Sequence, residues 1–173
     1  MAGGHEFNEV FFKDVFVPDD MVMGQPGEGW KHVTGELAFE RAGPDRFMSD
    51  IRLLVSLIDK VGTEPSERQA IAVGRCVAHF SALRRMSASI AGLLERGERP
   101  ITEAALVKDV GTAFEREIPE MVRSLVPSES SLDDEDEFSQ ALAHVLLHAP
   151  SFTLRGGTPE ILRGMIARGL GLR

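Results

Sequence analysis

Apolar and polar residues alternate in a strand-like manner at the start of the chain. Phe7, Glu9, Phe11, Lys13, Val15 and Val17 share one parity, and Asn8, Val10, Phe12, Asp14 and Phe16 the other. Both faces carry large apolar groups, so a strand here wants cover on each side, and no second strand pattern follows to pair with it. Pro18-Asp19-Asp20 ends the segment, and Gly24-Gln25-Pro26-Gly27-Glu28-Gly29 is rich in turn formers.

From Trp30 onward the period becomes helical. Val33, Leu37 and Ala38, then Ile51, Leu54, Val55 and Ile58, form apolar stripes interrupted at Gly43-Pro44. A helix is predicted from about Pro65 to Leu94, with Ile71, Val77, Phe80, Leu83, Ile90 and Leu94 as its core face, ended by Gly97 and Pro100. Another runs from about Thr102 to Leu125, buries Ala105, Val110, Phe114, Ile118, Val122 and Leu125, and is expected to bend at Pro119. A shorter helix follows over about Phe138 to His148. Thr158 then reads as an N-cap, with Pro159 at the first position of a last helix carrying Leu162, Ile166 and Leu170. Long helices with short connections pack as antiparallel neighbours. The predicted fold is all-α: a four-helix-type antiparallel bundle of about five helices with a terminal helix, preceded by one short β-strand.

Composition narrows the class. The 173 residues are 43% apolar and 27% charged, which suits one good core and excludes collagenous, disulfide-framework and wholly disordered chains. No apolar run nears the roughly 20 residues that span a bilayer, and no signal-peptide pattern opens the chain, so a cytoplasmic protein without membrane association is expected. A formal charge of -8 argues against nucleic-acid binding. Acids concentrate in 127–137, expected to be an exposed loop. Bases concentrate at the end, where Arg155, Arg163, Arg168 and Arg173 face one acid, Glu160, making that end a candidate for an anion. Cys76 has no partner cysteine and reads as a small buried hydrophobe. His144 and His148 have ligand-like spacing but no accompanying Glu or Cys signature, so no metal is expected.

Three stretches resemble the C-terminal part of an acyl-CoA dehydrogenase. The segment from Phe7 to Pro18 is similar to the family's last middle-domain strand, and Gly27-Glu28-Gly29-Trp30 to its "GxGW" lead into the helical domain. Leu37-Ala38-Phe39-Glu40-Arg41 resembles that domain's first long helix. Gly156-Gly157-Thr158-Pro159-Glu160-Ile161-Leu162-Arg163, with Ile166-Ala167-Arg168, resembles the "GGTxEIxR…IAR" ending. The resemblance implies a residual middle-domain strand and linker over 1–28 and a helical bundle domain over 29–173.

The implied chemistry is α,β-dehydrogenation of an acyl-CoA thioester, with the α-proton passing to a carboxylate and the β-hydride to FAD. In many members the base is a Glu just before the Gly-Thr pair, but that position here is Gly156. In the isovaleryl and long-chain members the base lies on the first long helix, which matches Glu40. Removing the loop side chain leaves room for a carboxylate arriving from the helix, so Glu40 is the candidate base. Read without the resemblance, a Glu followed by an Arg on a helix is an ordinary solvated group.

Arg41 matches a substrate-touching residue, or else pairs on the surface with Glu36 or Asp45. Gly157 would face the thioester carbonyl, and Thr158, Pro159 and Glu160 would border the flavin. Arg168 would reach the CoA end, or else serve the terminal helix alone. Ile161, Met165 and Ile166 are expected in the core, not in an acyl tunnel.

Two family segments have no match. "RxxFG", which contacts FAD across a dimer, is missing near 59–64, and "QxxGGxGY" is replaced by the acidic stretch and Phe138-Ser139-Gln140-Ala141-Leu142. FAD binding by this chain alone is therefore expected to be weak or absent, and the chain to be incomplete for catalysis by itself. The alternative is a flavin-free helical oligomerisation module. Either way a homo-oligomer, dimer or tetramer, is expected.

Overall fold

A computed structural model describes residues 8–172. Among the described residues there are six α-helices: α1 (Gly29–Ala42), α2 (Ile51–Val61), α3 (Glu67–Glu95), α4 (Ile101–Leu125), α5 (Glu137–His148) and α6 (Pro159–Gly169). Short 3-10 turns at Pro44–Arg46 and Ala149–Thr153 join α1 to α2 and follow α5. The helix count exceeds the expected five because Gly43 is extended (ψ 152) and Pro44 cannot continue a helix, which makes the interruption a full break.

Several boundaries follow from local chemistry. Ser66 caps α3 through a reciprocal pair, its backbone N–H donating to Gln69 Oε1 at 2.9 Å while Gln69 N–H donates to Ser66 Oγ. Asp136 accepts from Phe138 N–H at the start of α5. Thr158 and Pro159 occupy the predicted N-cap and first-turn positions of α6, although the Thr158 side chain makes no capping bond. α4 runs through Pro119, which is buried within it.

α4 is the central element, packing against α1, α3, α6 and the Ala149–Thr153 turn, while α2 packs on α5. Leu53, Leu57, Leu83, Ile118, Val122, Leu142 and Leu162 are essentially inaccessible. Core faces are narrower than the periodicity implied. Ile71 and Val77 of α3, Val110 of α4, Val33 of α1, and Val55 and Ile58 of α2 are exposed. Ile161, expected in the core, is 59% exposed, because Leu162 takes the inward position of α6. Leu170 is exposed as well.

The expected N-terminal strand does not form among the described residues. Phe7 lies outside them, and 8–17 is irregular, with Phe11, Phe12 and Phe16 all more than 80% exposed. A strand is held by its neighbour's backbone groups, and no second strand is present among the described residues. The acidic stretch is exposed as expected but pinned: Ser139 Oγ donates to Glu129 O at 2.6 Å and Lys60 pairs with Asp136 at 3.0 Å. Among the described residues no helix is long and apolar enough to cross a membrane.

Candidate functional site

The α1–turn–α2 corner folds back over α4 and meets the loop that precedes α6. Glu40 and Arg41 stand in the last turn of α1, and the bound of that helix at Gly43 turns the chain so that Arg46 returns to them. Arg46 Nε donates to Glu40 O at 2.9 Å and Arg46 Nη2 pairs with Glu40 Oε1. Glu40 Oε2 is buried without a hydrogen-bond partner. An unpaired buried carboxylate oxygen is costly, and Glu40 Oε2 keeps an unused capacity to accept.

Gly156 faces that carboxylate. A Cβ at Gly156 would lie 2.9 Å from Glu40 Oε2 and 3.1 Å from Oε1, and the residue has φ +65°, which favours glycine. The loop and the helix thus share one volume, and the carboxylate from α1 fills the side a loop side chain would have used.

Arg41 reaches the same loop. Its Nε donates to Gly156 O at 2.6 Å, and its Nη1 lies 3.5 Å from Met165 Sδ. The surface pair with Glu36 or Asp45 is not what the side chain does: Arg41 is buried, and Asp45 lies beside Arg46 instead. Desolvation pulls the Arg41 guanidinium below its ordinary range, opposed by the charge of Glu40. Gly157, at φ +112°, completes the turn, and a Cβ there would meet Arg41 Nη2 and Leu162 at 3.5 Å. Thr158 and Pro159 are half-buried at the start of α6, and Glu160 is exposed, its carboxyl held below the usual range by backbone and Thr158 hydrogen bonds. Arg168 is exposed in the last turn of α6, well down the helix from this cluster.

Sequence reasoning missed the charged groups behind this site. Glu115 of α4 is fully buried, and it accepts from Ser49 N–H at 2.8 Å and from Arg155 Nη2 at 2.9 Å. Lys108, also on α4 and fully buried, donates to Phe152 O at 3.0 Å and to Thr112 Oγ1. Burial, with Arg155 and Arg46 nearby, pushes the Lys108 ammonium down to about 8. Asp50 is fully buried with both oxygens unpartnered, and desolvation together with the Glu115 charge pushes its carboxyl up to about 7, against the pull of Arg155. The only trace in the sequence is Lys108 and Glu115 standing seven apart on one helix face. Charged residues at that spacing ordinarily define a solvated face, so the pattern pointed the wrong way.

The basic C-terminal end is partly neutralised in the same manner, since Arg155 is paired with Glu115 and Arg163 with Asp109 at 3.0 Å. Arg173 lies outside the described residues. Cys76 is buried as expected, its Sγ 3.4 Å from Met121 Sδ, and desolvation pushes its thiol up. His144 and His148 stack with ring centroids 4.1 Å apart.

These features define a helical bundle domain whose polar site lies where the end of α1 meets the glycine loop before α6. The chain belongs to the acyl-CoA dehydrogenase family, matching the family's "Acyl-CoA dehydrogenase, C-terminal domain" over residues 27–171. It is 29% identical to acyl-CoA dehydrogenase IpdE1 of Mycolicibacterium smegmatis, over 99% of this chain and 44% of that protein. It is 27% identical to acyl-CoA dehydrogenase FadE34 of Mycobacterium tuberculosis, over 98% of this chain and 23% of that protein. The match to IpdE1 of Mycobacterium tuberculosis is 28% over 99% of this chain and 46% of the relative. The chain thus spans less than half the length of these relatives. No solved structure matches it.

Proposed function

We propose that this chain supplies the helical half of an acyl-CoA-dehydrogenating flavoenzyme, with Glu40 as the base that removes the α-proton of the thioester. The single observation that carries the reading is the Glu40–Gly156 pair: a carboxylate with one free buried oxygen occupies the side that a loop residue would otherwise fill.

Each neighbour has a task in this reading. Arg46 holds Oε1 and the Glu40 backbone, so Oε2 is the oxygen left to take the proton. Arg41 fixes Gly156 O and keeps the loop in register, while the backbone N–H of Gly157 is offered to the thioester carbonyl as negative charge builds there. Arg168 is the residue of α6 offered to the CoA end.

The residues that fit one side of a flavin are Thr158, Pro159 and Glu160, because α6 begins there with no side-chain cap on Thr158 and its positive end faces the loop. FAD, when bound, supplies the hydride acceptor. Residues 1–28 serve in this reading as the link to the rest of the enzyme, and the assembly is a homo-oligomer. A flavin-free oligomerisation module is the second reading, favoured by the lack of a match to the family's RxxFG and QxxGGxGY segments.

The test is to add FAD to the purified chain and record the absorbance of the protein fraction. Bound flavin that bleaches on addition of an acyl-CoA supports dehydrogenation. A colourless, stable oligomer is compatible with both readings for this polypeptide, and flavin reduction by an acyl-CoA in the complete enzyme then decides between them.

A further inference from the structure

The loop at Gly156-Gly157 is an unpromising place to hold a reacting group. Two consecutive glycines at positive φ lose more backbone freedom on ordering than any other pair, and the loop sits between a 3-10 turn and the start of α6. Something outside the loop must fix it against Glu40, and the contacts converge on one buried side chain.

Glu115 is that side chain. Its Oε2 accepts from Arg155 Nη2 at 2.9 Å, and Arg155 immediately precedes Gly156. Its Oε1 accepts from Ser49 N–H at 2.8 Å, three residues beyond the Arg46 that grips Glu40. Arg155 closes the triangle through Nη1 to Ser49 Oγ at 3.1 Å and lies 4.3 Å above the Phe152 ring. Lys108, about two turns earlier on the same face of α4, holds Phe152 O. The turn itself lies hard against α4, where a Cβ at Gly111 would meet Arg46 O at 2.5 Å, so no larger residue leaves room for it. Both walls of the Glu40–Gly156 site are therefore tied to a single carboxylate on the central helix.

We infer that Glu115 is a positioning residue: through Arg155 and Ser49 it sets the separation between the glycine loop and the Glu40 carboxylate. The inference rests on the proposed role of Glu40 for its catalytic meaning, but the clamp itself is readable without flavin or substrate. Charge-assisted hydrogen bonds of this length, made by a fully desolvated acceptor, are stiff enough to do this.

The structure supplies its own reporter and control. Arg41 Nε–H ends on the loop at Gly156 O, whereas Arg46 Nε–H ends on Glu40 O within the α1 corner. Their side-chain N–H signals in 15N spectra of the intact chain, and the rates at which those protons exchange with water, report on the loop and on the corner separately. Glu115→Gln keeps the shape and an acceptor for Ser49 N–H but removes the charge that holds Arg155. The expected result is exchange of the Arg41 Nε proton at least tenfold faster (about 1.4 kcal/mol) with the Arg46 proton unchanged. Arg155→Met is expected to do the same, and Arg155→Lys, which keeps the charge, to restore most of the protection.

Unchanged exchange at Arg41, or equal acceleration at Arg41 and Arg46, overturns the clamp, because the first denies the coupling and the second reports only general loosening. In the complete flavoenzyme, Glu115→Gln is expected to lower kcat about tenfold with KM within threefold. If Glu40→Gln retains flavin reduction while the Arg41 signal behaves as described, the base reading fails and the clamp stands.

Discussion

Two buried polar regions lie side by side in this bundle and are built on opposite logic. Around Glu115, all of the glutamate's reach is used, with both oxygens accepting hydrogen bonds and no accessible surface left. At Glu40, one oxygen is paired, the other is left free, and the side chain remains about one-third exposed. A saturated carboxylate is structural cement, because nothing further has access to it. A half-satisfied one next to a gap in the loop has an oxygen left over, which is the one the proposed base reading uses. The difference shows that buried charge is not by itself a sign of activity, and that the unspent hydrogen-bonding capacity is the part to follow.

Stability measurements are the broadest way to break this contrast. Glu115→Ala strands Arg155 and Ser49 N–H and is expected to lower the unfolding free energy by about 3 kcal/mol, the range for removing one partner of a buried pair. Glu40→Ala, at a partly solvated position, is expected to cost less than about 1 kcal/mol. Urea unfolding of the two variants checks the order, and a larger loss at Glu40 would collapse the distinction.

Asp50 is the exception beside the closed side, buried with both oxygens unpartnered but with no access from outside. Its carboxyl is raised to about 7 in the folded chain, against an ordinary value of 3.8, so the folded state holds a proton that the unfolded state has lost between those values. Stability is therefore greatest below about pH 4, falls as pH rises to about 7, and is level beyond with respect to this group. Asp50→Asn is expected to remove that slope, worth roughly 2 kcal/mol between pH 5 and pH 7. Unfolding midpoints at several pH values provide the check, and equal slopes in both proteins would mean that Asp50 is not the titrating group.

A smaller effect falls on the open side. Gly156→Ala places a methyl at 2.9 Å from Glu40 Oε2 and forces a side chain into φ +65°. It is expected to cost about 1 kcal/mol of stability. Its larger consequence is to displace the Glu40 carboxylate, visible as a changed exchange rate of the Arg46 Nη protons. An unperturbed Arg46 signal would show that the two groups do not compete for the space.

The same two regions differ in how far they were legible. The helices were readable because breakers and caps act locally: Gly43-Pro44 and Thr158-Pro159 each mark a boundary that needs no tertiary context, whereas the Ser66–Gln69 box, which starts α3 two residues after Pro65, went unread. The Glu40–Gly156 pairing was legible only through the family resemblance, as a Gly where many members carry a Glu and a carboxylate at the alternative position on the first helix. Which residues occupy each core face was less legible, because Ile71, Val77 and Ile161 fit an apolar stripe yet point outward. Such groups are normal on a surface that polar atoms are too few to cover. The network of Asp50, Lys108 and Glu115 was opaque, since nothing in a charged residue's neighbours along the chain says that Arg155, forty residues away from Glu115, will come to meet it. Likewise the alternation in 8–17 gives strand-forming side chains but not the second strand that a ladder requires.

The most direct measurement is flavin reduction by an acyl-CoA in the complete enzyme carrying Glu40→Gln, followed by rapid-mixing absorbance. Gln preserves the size of the side chain and its contact with Arg46 but cannot take up the α-proton. The account predicts that FAD stays bound and that its bleaching is slowed by at least about a thousandfold, around 4 kcal/mol in the barrier. Bleaching at the unsubstituted rate, with FAD bound, would contradict it.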